Sequence, residues 1–369
     1  MDGPSPREVQ ALLLPWFDAG HRDMPWRRTT DPYRILLAEY LLQRTRVATG
    51  RPYYERFLER FPTVEALAAA PEEDVLHTWE GLGYYRRARN LLAAAKSIVR
   101  DHGGRIPTDS ATLATLPGIG PYTAGAVASI AFGERIPAVD GNVTRVVTRL
   151  FRVEVDVTSS PGRARIQELA HGLVPVGRSG PFNQAMMELG ATVCTPRSPR
   201  CSDCPFVDLC LAHRAGIEST LPRILARRRP RTVPVAFAYV VSRGRTLLVR
   251  RGSREILGGL WSLPGGELPS GSAAHGGLRS LVSAQTGLAI TVRGEVARVA
   301  HAFSHRRWSG AVFACSAQGR LHASAGVRWV TPDEARRLPL VPFHREVLED
   351  LAARPRIESY GRSRRRREA

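Results

Sequence analysis

Two carboxylates and four thiols carry most of the chemistry this sequence offers. The first carboxylate, Glu39, stands alone in the apolar run ILLAEYLLQRT, Ile35 to Thr45. If that run is a helix, Ile35, Leu36 and Leu42 share its face and hold the acid against hydrocarbon. Burial favours the neutral form, which gives a group able to hand over a proton near neutral pH. A Glu39 turned to solvent, or paired with Arg44 or Arg46, would do none of this, and Glu is seldom buried without a partner. The second carboxylate, Asp140, closes the apolar stretch IPAVD and precedes a helical pattern, where capping that helix is reason enough for an Asp. Together the two also make the pair that cleavage of a sugar bond requires. One acid protonates the leaving group while an ionised partner stabilises the cationic sugar.

The thiols Cys194, Cys201, Cys204 and Cys210 are spaced C-x6-C-x2-C-x5-C. Zinc modules usually pair two C-x2-C knuckles across a longer gap, so one knuckle flanked by single cysteines suits an iron–sulfur cluster better than zinc. Arg197 and Arg200 lie in the same loop, as cations placed to meet phosphates. The fifth cysteine, Cys315, falls in an expected strand and is most simply a small buried hydrophobe. In LPGIGPYTAGAV, Gly118 and Gly120 form a turn between two helical segments. Its N–H groups and the following helix N-terminus can cradle a phosphate without reading sequence, as in a helix-hairpin-helix.

The elements that must position these groups divide at about residue 216. From Val9 to Gly216 the pattern is helical, with amphipathic segments such as Ala88 to Arg100 and Ile166 to Leu173 separated by Gly, Pro and Asp. Residues 217–233, with RILARRRPRTV, read as a basic interdomain linker. Beyond it, VPVAFAYVVSRGRTLLVRRG predicts two strands joined by a turn near Ser242 to Gly244, and WSGAVFACSA and VRWVTPDEA continue the β character before a last helix over His344 to Ala353. Residues 234–355 are therefore expected to be a smaller α+β domain, and 356–369 a basic disordered tail.

The chain has 369 residues, enough for two or three domains, and a formal net charge of +19. Of its 53 basic residues only Lys96 is a lysine. Guanidinium groups fork onto phosphates and guanine edges, so a nucleic acid is the leading partner. No apolar run has the length of a transmembrane helix and Met1 to Gln10 lacks a signal-peptide core, which predicts a soluble intracellular protein with no membrane partner.

In order along the chain, PWR (Pro25–Arg27), Glu39 in its apolar run, GLGYYRRARN (Gly81–Asn90), LPGIGPYTAG, VDGNV (Val139–Val143), FNQAMMELGA (Phe182–Ala191) and the four-cysteine loop resemble the adenine DNA glycosylases of the MutY type, in the helix-hairpin-helix glycosylase superfamily. The resemblance covers nearly the whole chain. It implies an all-α glycosylase domain over 1–216, with a six-helix barrel lobe at about 31–137 and a second lobe, at about 1–30 and 138–216, holding one 4Fe-4S cluster. A Nudix-like 8-oxoguanine-recognition domain would follow, and no nucleotide cofactor is implied. The expected partner is double-stranded DNA carrying adenine:8-oxoguanine mispairs, bound by a monomer on the nucleoid of a bacterial cytoplasm.

Carried over by position, the resemblance makes Glu39 the acid that protonates adenine N7 and later activates water. Asp140 would stabilise or trap the oxacarbenium ion, with Tyr122 beside it, while Arg27 and Gln184 read the adenine edge. DNA contacts would come from Arg44, Thr45, Leu82, Tyr84, Gly118, Gly120, Arg197 and Arg200, with Tyr84 wedged against the orphaned base. Tyr122 stands where endonuclease III-like relatives place a Schiff-base lysine, so a monofunctional glycosylase without lyase activity is expected. In the C-terminal domain the Nudix metal acids become Ser272, Leu281, Ala284 and Gln285, which argues against pyrophosphate hydrolysis. What the resemblance leaves there is HAFSH, with Phe303, Ser304 and His305 as the 8-oxoguanine loop. The family usually has two glutamines before the threonine, and this chain has Gln43 then Arg44. An arginine there resembles thymine-mismatch glycosylases of the same superfamily, so a thymine:guanine mismatch enzyme is the alternative. From another class, the alternative is a non-catalytic DNA-damage binding protein.

Overall fold

The computed structural model describes residues 3–225, 230–253, 255–303, 306–322 and 326–353. The chain forms two compact units. One comprises Met1–Ala70 with Arg87–Arg227, and the other Pro71–Arg86 with Arg228–Ala369.

The first unit is helical throughout its described residues. The Glu39 helix, Pro32–Leu42, is started by Asp31, whose side chain accepts from the backbone N–H groups of Tyr33 and Arg34, with Pro32 at the first helical position. Residues Ile35 to Leu41, Glu39 among them, are all buried, and Arg34 at the start of the helix is the side chain that reaches water. It ends at Leu42, and Arg44 follows in the left-handed region, at φ 59°. That conformation is uncommon for a residue with a Cβ and turns the chain sharply out of the helix.

The helix after the glycine turn, Pro121–Phe132, begins at Gly120 and stops at left-handed Gly133. In the turn itself Gly118 has φ 75°, and a Cβ there would lie 2.5 Å from the Asn90 side chain. Both backbone conformation and space therefore require glycine at 118. Asp140 does cap the helix Gly141–Leu150, its side chain accepting from the Val143 N–H. That helix packs against Ser179–Thr192, which carries Gln184, and a Cβ on Gly190 would lie 2.6 Å from Asn142 Cβ. Leu13, Phe17, Val143, Val147, Phe182, Met186 and Leu189 are among the side chains that fill the core around these helices.

The second unit is built on a seven-stranded sheet. Its strands are β1 (Arg231–Ser242), β2 (Arg245–Arg250), β3 (Trp261–Ser262), β4 (Gly265–Glu267), β5 (Ala289–Ala302), β6 (Arg306–Gln318) and β7 (Val327–Val330). Their order is β3-β2-β1-β6-β5, with β4 also on β1 and β7 on β2. β1 and β6 are parallel, whereas β1–β2 and β5–β6 are antiparallel. The β1–β2 turn passes through Arg243 and Gly244, both at positive φ, at the place where the sequence predicts it. Side chains alternate along β1. Val235 and Phe237 pack on one face with Trp308, Val312 and the helix Pro342–Ala353, while Ala236 and Ala238 pack on the other with Leu278 and Val282 of the helix Ala274–Thr286. Cys315 is buried in the latter layer, as expected.

At the site of the lost Nudix acids, the Gln285 amide instead accepts from Gly265 N at 2.7 Å and donates to Gly265 O at 3.0 Å, fastening helix to strand. The segment Pro71–Arg86 belongs to this unit through polar contacts. Trp261 Nε1 donates to Glu73 at 3.1 Å and Arg345 Nη2 to Glu80 at 2.8 Å. No described helix is long and apolar enough to cross a membrane.

Candidate active site

Glu39 is 7 % exposed, and its carboxylate faces a cavity of about 160 Å³ in the helical unit. That is smaller than the roughly 300 Å³ at which sites for drug-sized ligands begin. Tyr122, near the start of the helix after the glycine turn, donates its hydroxyl to Glu39 Oε2 at 2.6 Å. Burial pushes the Glu39 acid up, the Tyr122 hydrogen bond opposes this, and the nearby Asp140 charge adds to it, leaving a pKa of about 7. Tyr122 itself is raised well above its ordinary value, first by burial and then by the Glu39 and Asp140 charges, so it remains a hydroxyl donor.

Asp140 lines the same cavity in a different setting. Burial raises its pKa above the ordinary value, a rise that the Val143 N–H at 2.7 Å, the Asn142 amide at 2.7 Å and the charge of Arg145 offset only in part. Two carboxylates in one cavity are thus held differently. One is poised to carry a proton, and the other is surrounded by donors that favour the anion. The cap expected of Asp140 is present, and the same hydrogen bond from the Val143 N–H also favours its charged form.

Arg27, Gln184, Thr45 and Met187 also line this space. Gln43 is tied to the Thr123 hydroxyl at 3.2 Å, while Arg44 lies beyond the helix end. In the second unit Leu82 is buried and Tyr84 is 49 % exposed, in a loop with positive φ at Gly81, Gly83 and Tyr84. Phe303 packs edge-on to His301 and Trp308. Ser304 and His305 lie outside the described residues, as does the tail over 356–369.

The four cysteines converge on one small space, into which Arg149 also projects. Their setting suits a cationic cluster. Burial pushes the Cys204 thiol up to about 12 and raises Cys201 and Cys210, with the mutual charges of the cysteines adding to the effect, so a bound cation is what makes the thiolates stable. Donors are already aimed at the sulfurs, Arg149 Nη1 at Cys194 Sγ (3.3 Å) and Phe206 N at Cys204 Sγ (3.4 Å). Arg200 is partly committed, donating to the Thr192 carbonyl at 3.0 Å, while Arg197 stays exposed.

Several contributors escape sequence reasoning. Arg145 donates to the Cys194 carbonyl at 2.7 Å and to Asn142 Oδ1 at 2.8 Å, which joins the cysteine loop to Asp140 through Asn142. Glu188 receives both Arg22 and Arg27. The signal for Glu188 resembles the one for Glu39: a lone carboxylate in an apolar helical stretch, AMMELGA.

Residues 37–175 match the model of the HhH-GPD superfamily of base excision DNA repair proteins, 194–210 the iron–sulfur binding domain of endonuclease III, and 235–350 the NUDIX domain. The helical unit is also similar to the structure of a thermostable thymine-DNA glycosylase, with TM-score 0.53 and 32 % identity over 57 % of this chain and 97 % of that one. Fold and site together define a DNA-binding base excision glycosylase with a 4Fe-4S loop and a Nudix-like C-terminal domain. The rat adenine DNA glycosylase is 38 % identical, covering 88 % of this chain and 74 % of its own, and that of Mycolicibacterium smegmatis is 46 % identical over 53 % of this chain and 66 % of its own. The chain belongs to the adenine DNA glycosylase family.

Replacing Cys204 by Ser is expected to remove the visible absorbance of the cluster and to destabilise the helical unit by more than about 2 kcal/mol, since a metal site that forms only in the folded state contributes its binding energy to folding. Absorbance together with urea unfolding of the purified protein checks this. A variant that kept its full absorbance would remove Cys204 from the ligand set.

Proposed function

We propose that the protein flips adenine out of mispairs with 8-oxoguanine or guanine in double-stranded DNA and hydrolyses its N-glycosidic bond. The observation that carries this reading is the pair at the cavity, a buried Glu39 with its pKa near 7 beside an Asp140 ringed by hydrogen-bond donors. In the reaction Glu39 gives its proton to adenine N7, and the electrons of the C1′–N9 bond leave with the base. Asp140 faces the oxacarbenium ion left on the sugar. Water then adds at C1′, and its proton goes to the Glu39 carboxylate, which restores the acid. Tyr122 keeps Glu39 oriented throughout.

Arg27 and Gln184 read the base edge. Arg44, Thr45, Leu82 and Tyr84, with the Gly118–Gly120 turn and the Arg197 and Arg200 loop, hold the distorted duplex, because unstacking a base takes a few kcal/mol that backbone contacts must offset. Phe303, Ser304 and His305 are the residues proposed to recognise 8-oxoguanine. Hydrolysis without strand cleavage follows from Tyr122 at the lysine position of lyases, and the one lysine, Lys96, is exposed and absent from the lining of the cavity. The protein works as a monomer in the bacterial cytoplasm, on the nucleoid, with residues 1–216 as glycosylase domain, 217–233 as linker and 234–355 as the 8-oxoguanine domain.

Two observations favour a second reading, thymine release from thymine:guanine mismatches: the likeness to the thymine-DNA glycosylase structure, and Arg44. Single-turnover base release on four duplexes separates the two. Adenine opposite 8-oxoguanine is expected to react fastest, adenine opposite guanine next, and thymine opposite guanine and adenine:thymine least. Preferential release of thymine would transfer the assignment to the second reading.

A further inference from the structure

Glu188 is 2 % exposed, on the same helix as Gln184 and one turn beyond it. Its carboxylate is fully engaged. Arg22 meets it with two parallel bonds, Nε to Oε1 and Nη2 to Oε2, both 2.7 Å, and Arg27 Nη2 reaches Oε2 at 2.8 Å. Arg27 is held on two further sides, by the Arg22 carbonyl, which accepts from its Nη1 at 3.0 Å, and by the face of Phe17, 5.2 Å from its guanidinium carbon.

We infer that Glu188 is a positioning residue for base recognition: its buried carboxylate fixes Arg27 in the setting from which the guanidinium meets the flipped adenine. The inference rests on the reading of Arg27 as an adenine contact. Three features support it. An arginine side chain has many rotamers, and a planar fork fixed at one edge leaves its other donors aimed in one direction. Burial pushes the Arg27 cation toward deprotonation, and the Glu188 charge is what opposes this most strongly. The other carboxylates lining the same cavity are Glu39 and Asp140, and a guanidinium released from Glu188 would be drawn to them. Arg22, 43 % exposed at its side chain, completes the arrangement by balancing the charge of Glu188 from the solvent side.

The test is the preference for an adenine over an empty position. Dissociation constants are measured for the full-length protein on two duplexes, one with the non-cleavable 2′-fluoro-2′-deoxyadenosine opposite 8-oxoguanine and one with a tetrahydrofuran abasic analogue there. A structural role would weaken binding to both duplexes alike and leave their ratio unchanged. Glu188→Gln is expected to lower the adenine-over-abasic ratio about tenfold, the scale of one hydrogen bond to a charged group. Glu188→Asp keeps the charge, and with it the fold, but withdraws the carboxylate by one methylene, and it is expected to lower the ratio in the same direction. In an Arg27→Ala background Glu188→Gln should change the ratio less than about twofold, because the two residues act as a unit. A wild-type ratio in either Glu188 variant, or additive losses in the double variant, overturns the inference while leaving Arg27 as a base contact. A wild-type ratio in Arg27→Ala alone overturns that contact, and the inference with it.

Discussion

Glu39→Gln is expected to abolish base release, slowing single-turnover adenine excision by at least about a thousandfold, within the range that general acid catalysis supplies. The amide is nearly isosteric and still accepts the Tyr122 hydrogen bond, but it has no acidic proton to give. For the wild-type enzyme the pH dependence has a definite sign. The acid that donates is the neutral form, so the rate should hold below about pH 7, the pKa that burial gives Glu39, and fall as pH rises through it. Stability responds in the matching direction. The folded pKa lies above the ordinary value of 4.5, so ionisation is harder in the folded protein than in the unfolded one. Between those two values the penalty for burying Glu39 grows, reaching on the order of 3 kcal/mol above pH 7. Glu39→Gln is therefore expected to be inactive and yet more stable than wild type at pH 8. Urea unfolding at pH 5 and pH 8 beside the rate assay checks both halves. An active variant would end the assignment of Glu39, and an inactive but unfolded one would leave only a structural role.

The sequence makes a buried Glu39 legible as one of two settings, because Ile35, Leu36 and Leu42 share its face, while a solvent-turned or arginine-paired carboxylate stays open until the helix is seen packed. Tyr122, which donates to it, is recognisable by type and motif, but a separation of 83 residues hides the contact until the fold closes it. The glycine turn was readable for a similar local reason, since Gly118 answers to a backbone requirement that its neighbours reveal. The Arg22–Glu188–Arg27 group was not, because its members come from the segment before the Glu39 helix and from a helix some 160 positions later, and arginine is too common in this chain to mark any one pair. In the β domain the sequence marked β1, β2, β6 and β7 but not the short β3 and β4 or the mostly exposed β5, whose residues show no regular buried alternation, and it did not reveal which strands pair. The parallel pairing of β1 with β6 depends on the helix Ala274–Thr286 covering one face, a tertiary fact with only a weak local trace in its glycine-containing sequence.

Asp140→Asn separates the observed helix cap from the proposed catalytic anion at one carboxylate. Asn caps helices about as well as Asp, and its side-chain oxygen can still accept from the Val143 N–H, so the helix Gly141–Leu150 should keep its start and the protein its unfolding midpoint within about 0.5 kcal/mol. The negative charge that the proposed reaction sets against the sugar cation is gone, however. Removing one group aimed at transition-state charge typically slows a reaction by about 100- to 1,000-fold, and a loss of that size is expected in single-turnover excision. Asp140→Ala should lose the rate and also about 1 kcal/mol of stability, because it deletes the cap as well. The two variants therefore differ in stability and agree in rate if Asp140 is a catalytic anion. Were Asp140 only a cap, Asp140→Asn would keep near wild-type excision and Asp140→Ala would lose activity only in proportion to its unfolding. The hydrogen bond from Asn142 refines the contrast: with Asn at 140 its amide nitrogen meets a like donor and that one bond is lost, while Arg145 keeps its bonds to the Cys194 and Gly190 carbonyls, so the cysteine loop stays anchored and the cluster absorbance should be unchanged. A fall in rate with midpoint and absorbance both intact assigns the loss to the missing charge.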